Sequence, residues 1–176
     1  MIVTRAALSA LEADICARYL RSEEACGLLI GPGGDDVCDE VAPLVNLANR
    51  MHELDPRVYP RDARTSFLFR EQELDERYSA GRERSRPVKV LYHSHLDSPA
   101  SFSAMDAALL SQGSLRGQRA SLGAGPKYPI AFLVVSVFGT SGVPVVREHR
   151  AYVWNGRGFS PGPFEAPTDS VTPEKV

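Results

Sequence analysis

Cysteine is scarce in this chain of 176 residues: three, Cys16, Cys26 and Cys38, with no Cys-x-x-Cys pair. An odd count without that spacing excludes a disulfide framework and a cysteine-rich zinc knot, and each thiol is expected to be a small buried hydrophobe. No sign of charge dominates. Twenty basic residues are interleaved with 22 acidic ones for a net charge of -2, so there is no basic stripe for nucleic acid. No stretch approaches the about 20 apolar residues that span a bilayer. The N-terminus also lacks a basic segment followed by an apolar one, so neither a membrane nor a secretory route is expected and the chain is read as cytoplasmic. Internal repeats are absent. What remains is ordinary: 43% hydrophobic and 24% charged residues suit one soluble domain with a full core.

Periodicity organises the chain. Residues 1–4 read as a short edge strand. From Arg5 to Arg21 apolar residues recur every three to four positions, predicting an amphipathic helix. Cys26–Gly31 is a short apolar run bounded by glycine and predicts a buried strand. A Pro-Gly-Gly-Asp turn leads into a second hairpin strand over Val37–Val45. Residues 46–65 are polar and carry two prolines, predicting a long irregular loop. Phe67–Phe69 reads as a short strand, and Glu71–Arg84 as an exposed helix ending before Pro87. Val88–His95 is the central strand, Ser103–Leu110 a helix, and the Gly/Ser-rich segment 111–125 a second loop. Ile130–Phe138 and Val143–Trp154 close the sheet. The proline-rich stretch 156–176 has few aliphatic residues and is expected to be a disordered tail. This order is α+β, with helices flanking a mixed sheet.

The chemistry concentrates in His93-Ser94-His95 and the ten residues that follow. Side chains alternate along a strand, so His93 and His95 face the same way, roughly 7 Å apart along the backbone. Ser94 should point to the opposite face. After the turn through Pro99, Ser103 and Asp106 share a helix face. Two imidazoles and a carboxylate form a three-ligand set suited to catalytic zinc with one open position, whereas structural zinc prefers four ligands. Such a site needs a base that is not a ligand. Glu23 and Glu24, at the mouth of the buried strand, are both candidates, and the residues alone do not choose between them. Each feature has a plain alternative: core histidines, a Ser-x-x-Asp capping box, a solvated acidic pair. Their combination at this spacing would arise by chance in roughly a few per ten thousand chains.

At these residues the sequence resembles the JAMM, or MPN+, metallopeptidases. Their motif is an upstream glutamate, then His-x-His, seven residues, Ser, two residues and Asp. The segment Glu24-Ala25-Cys26-Gly27-Leu28-Leu29-Ile30-Gly31 is similar to the corresponding stretch of small bacterial members, and this selects Glu24 over Glu23. The resemblance spans residues 1–155. It implies a single MPN/JAMM domain, α/β/α-like with a mixed sheet flanked by helices, of cytidine-deaminase-like architecture. One Zn2+ per chain would be held by His93, His95 and Asp106. Glu24 would be the general base, and Ser103 would donate to the oxyanion.

It also implies hydrolysis of the amide bond after the C-terminal Gly-Gly of a ubiquitin-like or sulfur-carrier protein. Loops 46–65 and 111–128 would contact that substrate. Residues 107–129 contain no His or Cys, so a second zinc is not expected, and Leu96 after His95 departs from the His-x-His-Pro of RadC-type domains. The alternatives are a catalytically silent MPN-type scaffold, or a hydrolase of a small amide conjugate. Outside the motif, His52 reads as a solvated loop residue, His149 as exposed, and Tyr152 with Trp154 as the end of the core. The oligomeric state is left open.

Overall fold

A computed structural model describes residues 1–116, 119–140 and 142–167. The chain begins with β1 (Ile2–Val3), α1 (Arg5–Tyr19), β2 (Cys26–Ile30), β3 (Val37–Cys38) and β4 (Glu40–Leu44). Then come α2 (Ala48–Leu54), α3 (Glu71–Glu83), β5 (Val88–Leu96) and α4 (Ala104–Leu110). The chain continues with β6 (Ser114–Arg116), β7 (Arg119–Ser121), β8 (Ala131–Thr140), β9 (Val143–Trp154) and β10 (Phe159–Pro161).

Six strands form one sheet in the order β10-β9-β8-β5-β2-β4. The β5–β8 pair is parallel and the others are antiparallel, so this is a mixed α+β sheet with β5 near its middle. Alternation along β5 decides which residues go where. Val90, Tyr92 and Leu96 enter the core against Leu11 and Ile15 of α1. Leu91 enters the opposite core with Leu28, Leu74 and Val134, and His93 shares that face. The histidines therefore look away from α1.

Helix α1 is started by Thr4, whose side chain accepts from the Ala7 N–H. It buries Ala7, Leu11 and Ile15, one residue per turn; each full aliphatic burial contributes about 1.5–3 kcal/mol. The chain then turns sharply through Ser22, whose φ is 57°, and delivers Glu24 to the start of β2. Gly27 in β2 lies against Tyr92, where a Cβ would come within 2.5 Å of the phenol oxygen. Only glycine lets this strand pass the ring.

Several expected elements take a different form. The strand foreseen over Val37–Val45 splits: β3 pairs in parallel with β1, and β4 pairs with β2. The 46–65 segment contains α2, which buries only Ala48 and so shows no apolar stripe. Phe67–Phe69 is not a strand, because the Leu68 N–H goes to the Asn46 side chain rather than to a neighbouring strand. The later loop contains the β6–β7 hairpin; residues 117 and 118 of it lie outside the described residues.

The boundary expected at 155 also moves. Strand β10 pairs with Tyr152–Trp154, and Glu165 exchanges backbone hydrogen bonds with Met1 and Val3. Aromatic packing replaces the missing aliphatic residues: Phe159 lies 4.5 Å from Phe102 and 5.1 Å from Phe132, ring centre to ring centre. Residues 168–176 of the expected tail lie outside the described residues. His149, expected to be exposed, is mostly buried, stacked on Phe164 and 3.2 Å from Glu12. All three cysteines are free. Among the described residues no helix is long and apolar enough to cross a membrane.

Candidate metal and catalytic site

Three donor atoms converge at the C-terminal end of β5. His93 Nε2 lies 3.3 Å from His95 Nε2 and 3.6 Å from Asp106 Oδ2, and the His95–Asp106 distance is 3.7 Å. Tetrahedral ligands bonded to zinc at about 2.0–2.1 Å are spaced about 3.3–3.4 Å from one another. The observed triangle fits that ion after shifts of a few tenths of an ångström.

Each donor has a local cause. His95 Nδ1 is 2.9 Å from the Pro99 carbonyl; a carbonyl can only accept, so Nδ1 carries the proton and Nε2 turns its lone pair inward. His93 is fully buried and is held by stacking on Phe67, 4.4 Å away. Its Nδ1 has no hydrogen-bond partner among the described residues. Asp106 is held by a capping box: its N–H donates to Ser103 Oγ at 3.0 Å, and its Oδ2 accepts from the Ser103 N–H at 2.9 Å. The turn before α4 is pinned to β9, since Tyr152 Oη donates to the Ala100 carbonyl and accepts from the Phe102 N–H.

Register brings the glutamate in. Cys26 pairs with His93, so two residues earlier Glu24 comes opposite His95. Its backbone is clamped on both sides: the Glu24 N–H donates to the Ala63 carbonyl at 2.6 Å, and its own carbonyl accepts from Asn46 Nδ2 at 3.0 Å. Its carboxylate accepts no hydrogen bond from the described residues. Glu23 instead pairs with Arg18 at 3.3 Å. The structure thus separates the two glutamates, and only Glu24 lines the cavity with His95, Ser103 and Asp106.

The charges follow from burial and proximity. Burial pushes the Glu24 carboxyl up to about 8, with the Asp106 charge adding and those of His95 and Arg61 opposing. Burial also opposes ionisation of Asp106, but the neighbouring His93 and His95 imidazoles outweigh it and hold that carboxyl well below the usual range. Burial lowers His93. For His95 burial pulls the same way, yet Asp106 and the Pro99 carbonyl raise it on balance. Together they set the His95 lone pair, a firmly ionised carboxylate and a protonatable carboxyl around one cavity of about 250 Å3, with His93 Nε2 buried just behind it.

All five motif residues, Glu24, His93, His95, Ser103 and Asp106, are brought together. Ser94 faces away, accepting from the Ala25 N–H. His52 stays outside the site, its Nδ1 2.7 Å from the Tyr59 carbonyl. Sequence reasoning missed Asn46, Phe67, Arg61 and Arg64. Asn46 stands between a strand and a helix, where a side chain that accepts from the N–H two residues on is a recognised turn former. The two arginines gave no signal in an evenly charged chain.

Residues 5–151 match the family described as prokaryotic homologs of the JAB domain. Among solved structures, the chain is similar to a protein from Desulfitobacterium hafniense at 21% identity, covering 96% of this chain and 94% of that one, with a TM-score of 0.59. It is similar to a protein from Salinibacter ruber at 20% identity, covering 97% and 94%, with a TM-score of 0.50. A JAB1/MPN domain protein from Archaeoglobus fulgidus also matches, at 17% identity and TM-score 0.46, covering 94% and 98%. At these identities the first two likenesses are of fold. No curated protein matches the chain.

Proposed function

From the finding that the chain belongs to the family of prokaryotic JAB-domain homologs, we propose that it is a zinc-dependent peptidase. Its substrate is the amide bond after the C-terminal Gly-Gly of a ubiquitin-like or sulfur-carrier protein. One observation carries this reading: three donors lie 3.3–3.7 Å apart, and two of them, His95 and Asp106, line a cavity with Glu24, a buried carboxyl that is not among the donors. A structural site would not need that extra carboxyl.

His93, His95 and Asp106 hold the ion, which when bound supplies Lewis acidity toward water and the scissile carbonyl. Glu24 takes a proton from the attacking water. Its burial raises proton affinity, and the lack of a hydrogen-bond donor leaves the carboxylate free to accept. The same carboxyl then gives the proton to the departing nitrogen. Ser103 Oγ already accepts from the Asp106 N–H, and its own O–H lies within reach of the Asp106 carboxylate, which it helps to keep ionised. The capping box fixes that hydroxyl at the cavity wall, where it turns to the oxyanion of the substrate.

The segment 46–65 contributes Arg61, Arg64 and Thr65 to the cavity. Beside it a second, more apolar groove runs between Phe69 and Tyr128, where residues 111–128 border it. Both segments are assigned to the substrate tail, and the protein to the cytoplasm.

The test uses zinc-loaded protein and carrier proteins bearing a short extension after Gly-Gly, read by intact mass. Loss of the extension by the wild type but not by Glu24→Ala supports the reaction and the base together. His95→Ala should lose both zinc and activity. Zinc-loaded wild type that leaves every carrier intact would sink the carrier-processing assignment.

A further inference from the structure

The two imidazoles of the triad are held in different ways. His95 is anchored by a hydrogen bond, from Nδ1 to the Pro99 carbonyl at 2.9 Å. A metal-binding imidazole ordinarily has such an acceptor on its second nitrogen, which fixes both its tautomer and the orientation of its ring. The His93 side chain is fully buried, and its Nδ1 has no hydrogen-bond partner among the described residues. When Nε2 turns its lone pair to an ion, the ring proton sits on Nδ1, where no described residue accepts it. Strand β5 fixes the His93 backbone but not the ring plane, because the last torsion of histidine has only a broad preference.

What the ring has instead is aromatic packing. Phe67 lies face to face with it, with centroids 4.4 Å apart and planes 23° from parallel. Phe102 meets it edge-on at 6.3 Å. The nearer ring constrains the imidazole plane more strongly, because dispersion and ring electrostatics weaken quickly with distance. Phe67 is itself held in place. It is 5% exposed, packs in one core cluster with Leu74, Leu91 and Val134, and stacks in parallel with Phe69 at 6.3 Å. A bare aliphatic wall would bury His93 equally well but would leave its plane free to turn.

We infer that Phe67 is a positioning residue for the metal centre. Its ring stands in for the hydrogen-bond acceptor that His93 lacks, and holds the imidazole at the angle that directs Nε2 toward His95 Nε2 and Asp106 Oδ2. The inference rests on the triad holding an ion, as proposed above, and on no step of the hydrolysis. It makes the two imidazoles unequal. His95 keeps its orientation through a hydrogen bond on its own turn, whereas His93 keeps it through packing against a segment far from the motif in the chain. A change in the core at Phe67 therefore reaches the ion without altering any ligand.

The test measures zinc affinity in the metal-stripped protein by competition with a chromophoric chelator. Phe67→Leu keeps the position apolar and removes the stack, and should bind zinc about ten- to a hundredfold more weakly, the loss expected when a ligand's orienting partner goes. Phe67→Tyr keeps the ring and should stay within about threefold of wild type. Phe69→Leu is the control for core damage, since Phe69 stacks on Phe67 and has no ring contact with His93 among the described residues. It should lower the Tm and leave zinc affinity unchanged. Co2+ gives a second readout: its visible absorption bands should shift in Phe67→Leu and not in Phe69→Leu. Phe67→Met carries the same comparison if Phe67→Leu fails to fold. Affinity within about twofold of wild type in Phe67→Leu, or an equal loss in Phe67→Tyr or Phe69→Leu, overturns the inference. Wild type that takes up no zinc refutes the metal centre and this role together. Zinc bound by wild type and weakened in Phe67→Leu, in a protein that leaves every carrier intact, refutes the peptidase and leaves the role of Phe67 standing.

Discussion

Burial lifts the Glu24 carboxyl from its ordinary 4.5 to about 8, and this has a consequence for stability as well as catalysis. A carboxyl with a raised folded-state pKa favours the folded chain while it is protonated. That contribution is fully present below about pH 4.5 and is lost as the pH rises through about 8. Glutamine cannot ionise, so metal-free Glu24→Gln should gain on metal-free wild type across this window, by about 3–5 kcal/mol at its upper end. Urea denaturation in chelator at pH 5 and pH 9 measures the difference. Parallel pH dependence of the two proteins would mean that Glu24 ionises like an exposed carboxyl. At this scale the motif was legible in the sequence because its residue types and spacings are local. The partners that orient it were not: the Pro99 carbonyl on His95 and the Phe67 ring on His93 leave no mark in a spacing pattern.

Among the elements, α4 joins stability to function most directly. Its seven residues are too few to be stable alone, and its start depends on the Ser103–Asp106 box. Ser103→Ala should cost about 1 kcal/mol through the lost cap, whereas Ser103→Gly should cost only a few tenths. If the Ser103 hydroxyl also serves the oxyanion, both variants should lose about 10²–10³-fold in kcat with zinc retained. Full turnover by Ser103→Gly would assign Ser103 to capping alone. Helix α1 and strands β2 and β5 followed from periodicity, because each buries a regular stripe or run; α3, which buries only Leu74, followed from its Glu-, Arg- and Leu-rich composition. Helix α2 escaped that logic. It is placed by Asn46, whose side chain bonds residues 24, 48, 66 and 68, and such a hub is invisible to any single window of sequence. The same hub fixes the Glu24 backbone, so Asn46→Ala should loosen the base without touching the ligands. A fall in turnover with unchanged zinc affinity would show this.

Across the whole molecule, β10 closes the sheet over the aromatic cluster behind the His93–His95–Asp106 triad. Phe159 touches Phe102, Phe132 and Trp154, and Phe102 in turn meets the edge of the His93 ring. Phe159 is only partly buried, so Phe159→Ala should cost about 2 kcal/mol, less than a fully buried ring. Thermal denaturation reads this directly. A Tm unchanged within error would show that β10 is not part of the cooperative domain.

The amino-acid order by itself determined the His93–His95–Asp106 triad, the face on which it lies, and the α+β sheet that carries it. These depend on period-two alternation in β5 and on the three-residue step from Ser103 to Asp106, both short-range geometry. The likeness of residues 24–31 to small bacterial members had already favoured Glu24 over Glu23, but only the tertiary structure decided how Glu24 reaches the cavity while Glu23 pairs with Arg18. It likewise decided that Arg61 stands beside Glu24, and that residues 159–165 belong to the fold. Those outcomes depend on strand register and on hydrogen bonds between segments far apart in the chain. A one-residue slip of β2 against β5 would send Glu24 to the other face of the sheet, and burial on both faces forbids that slip.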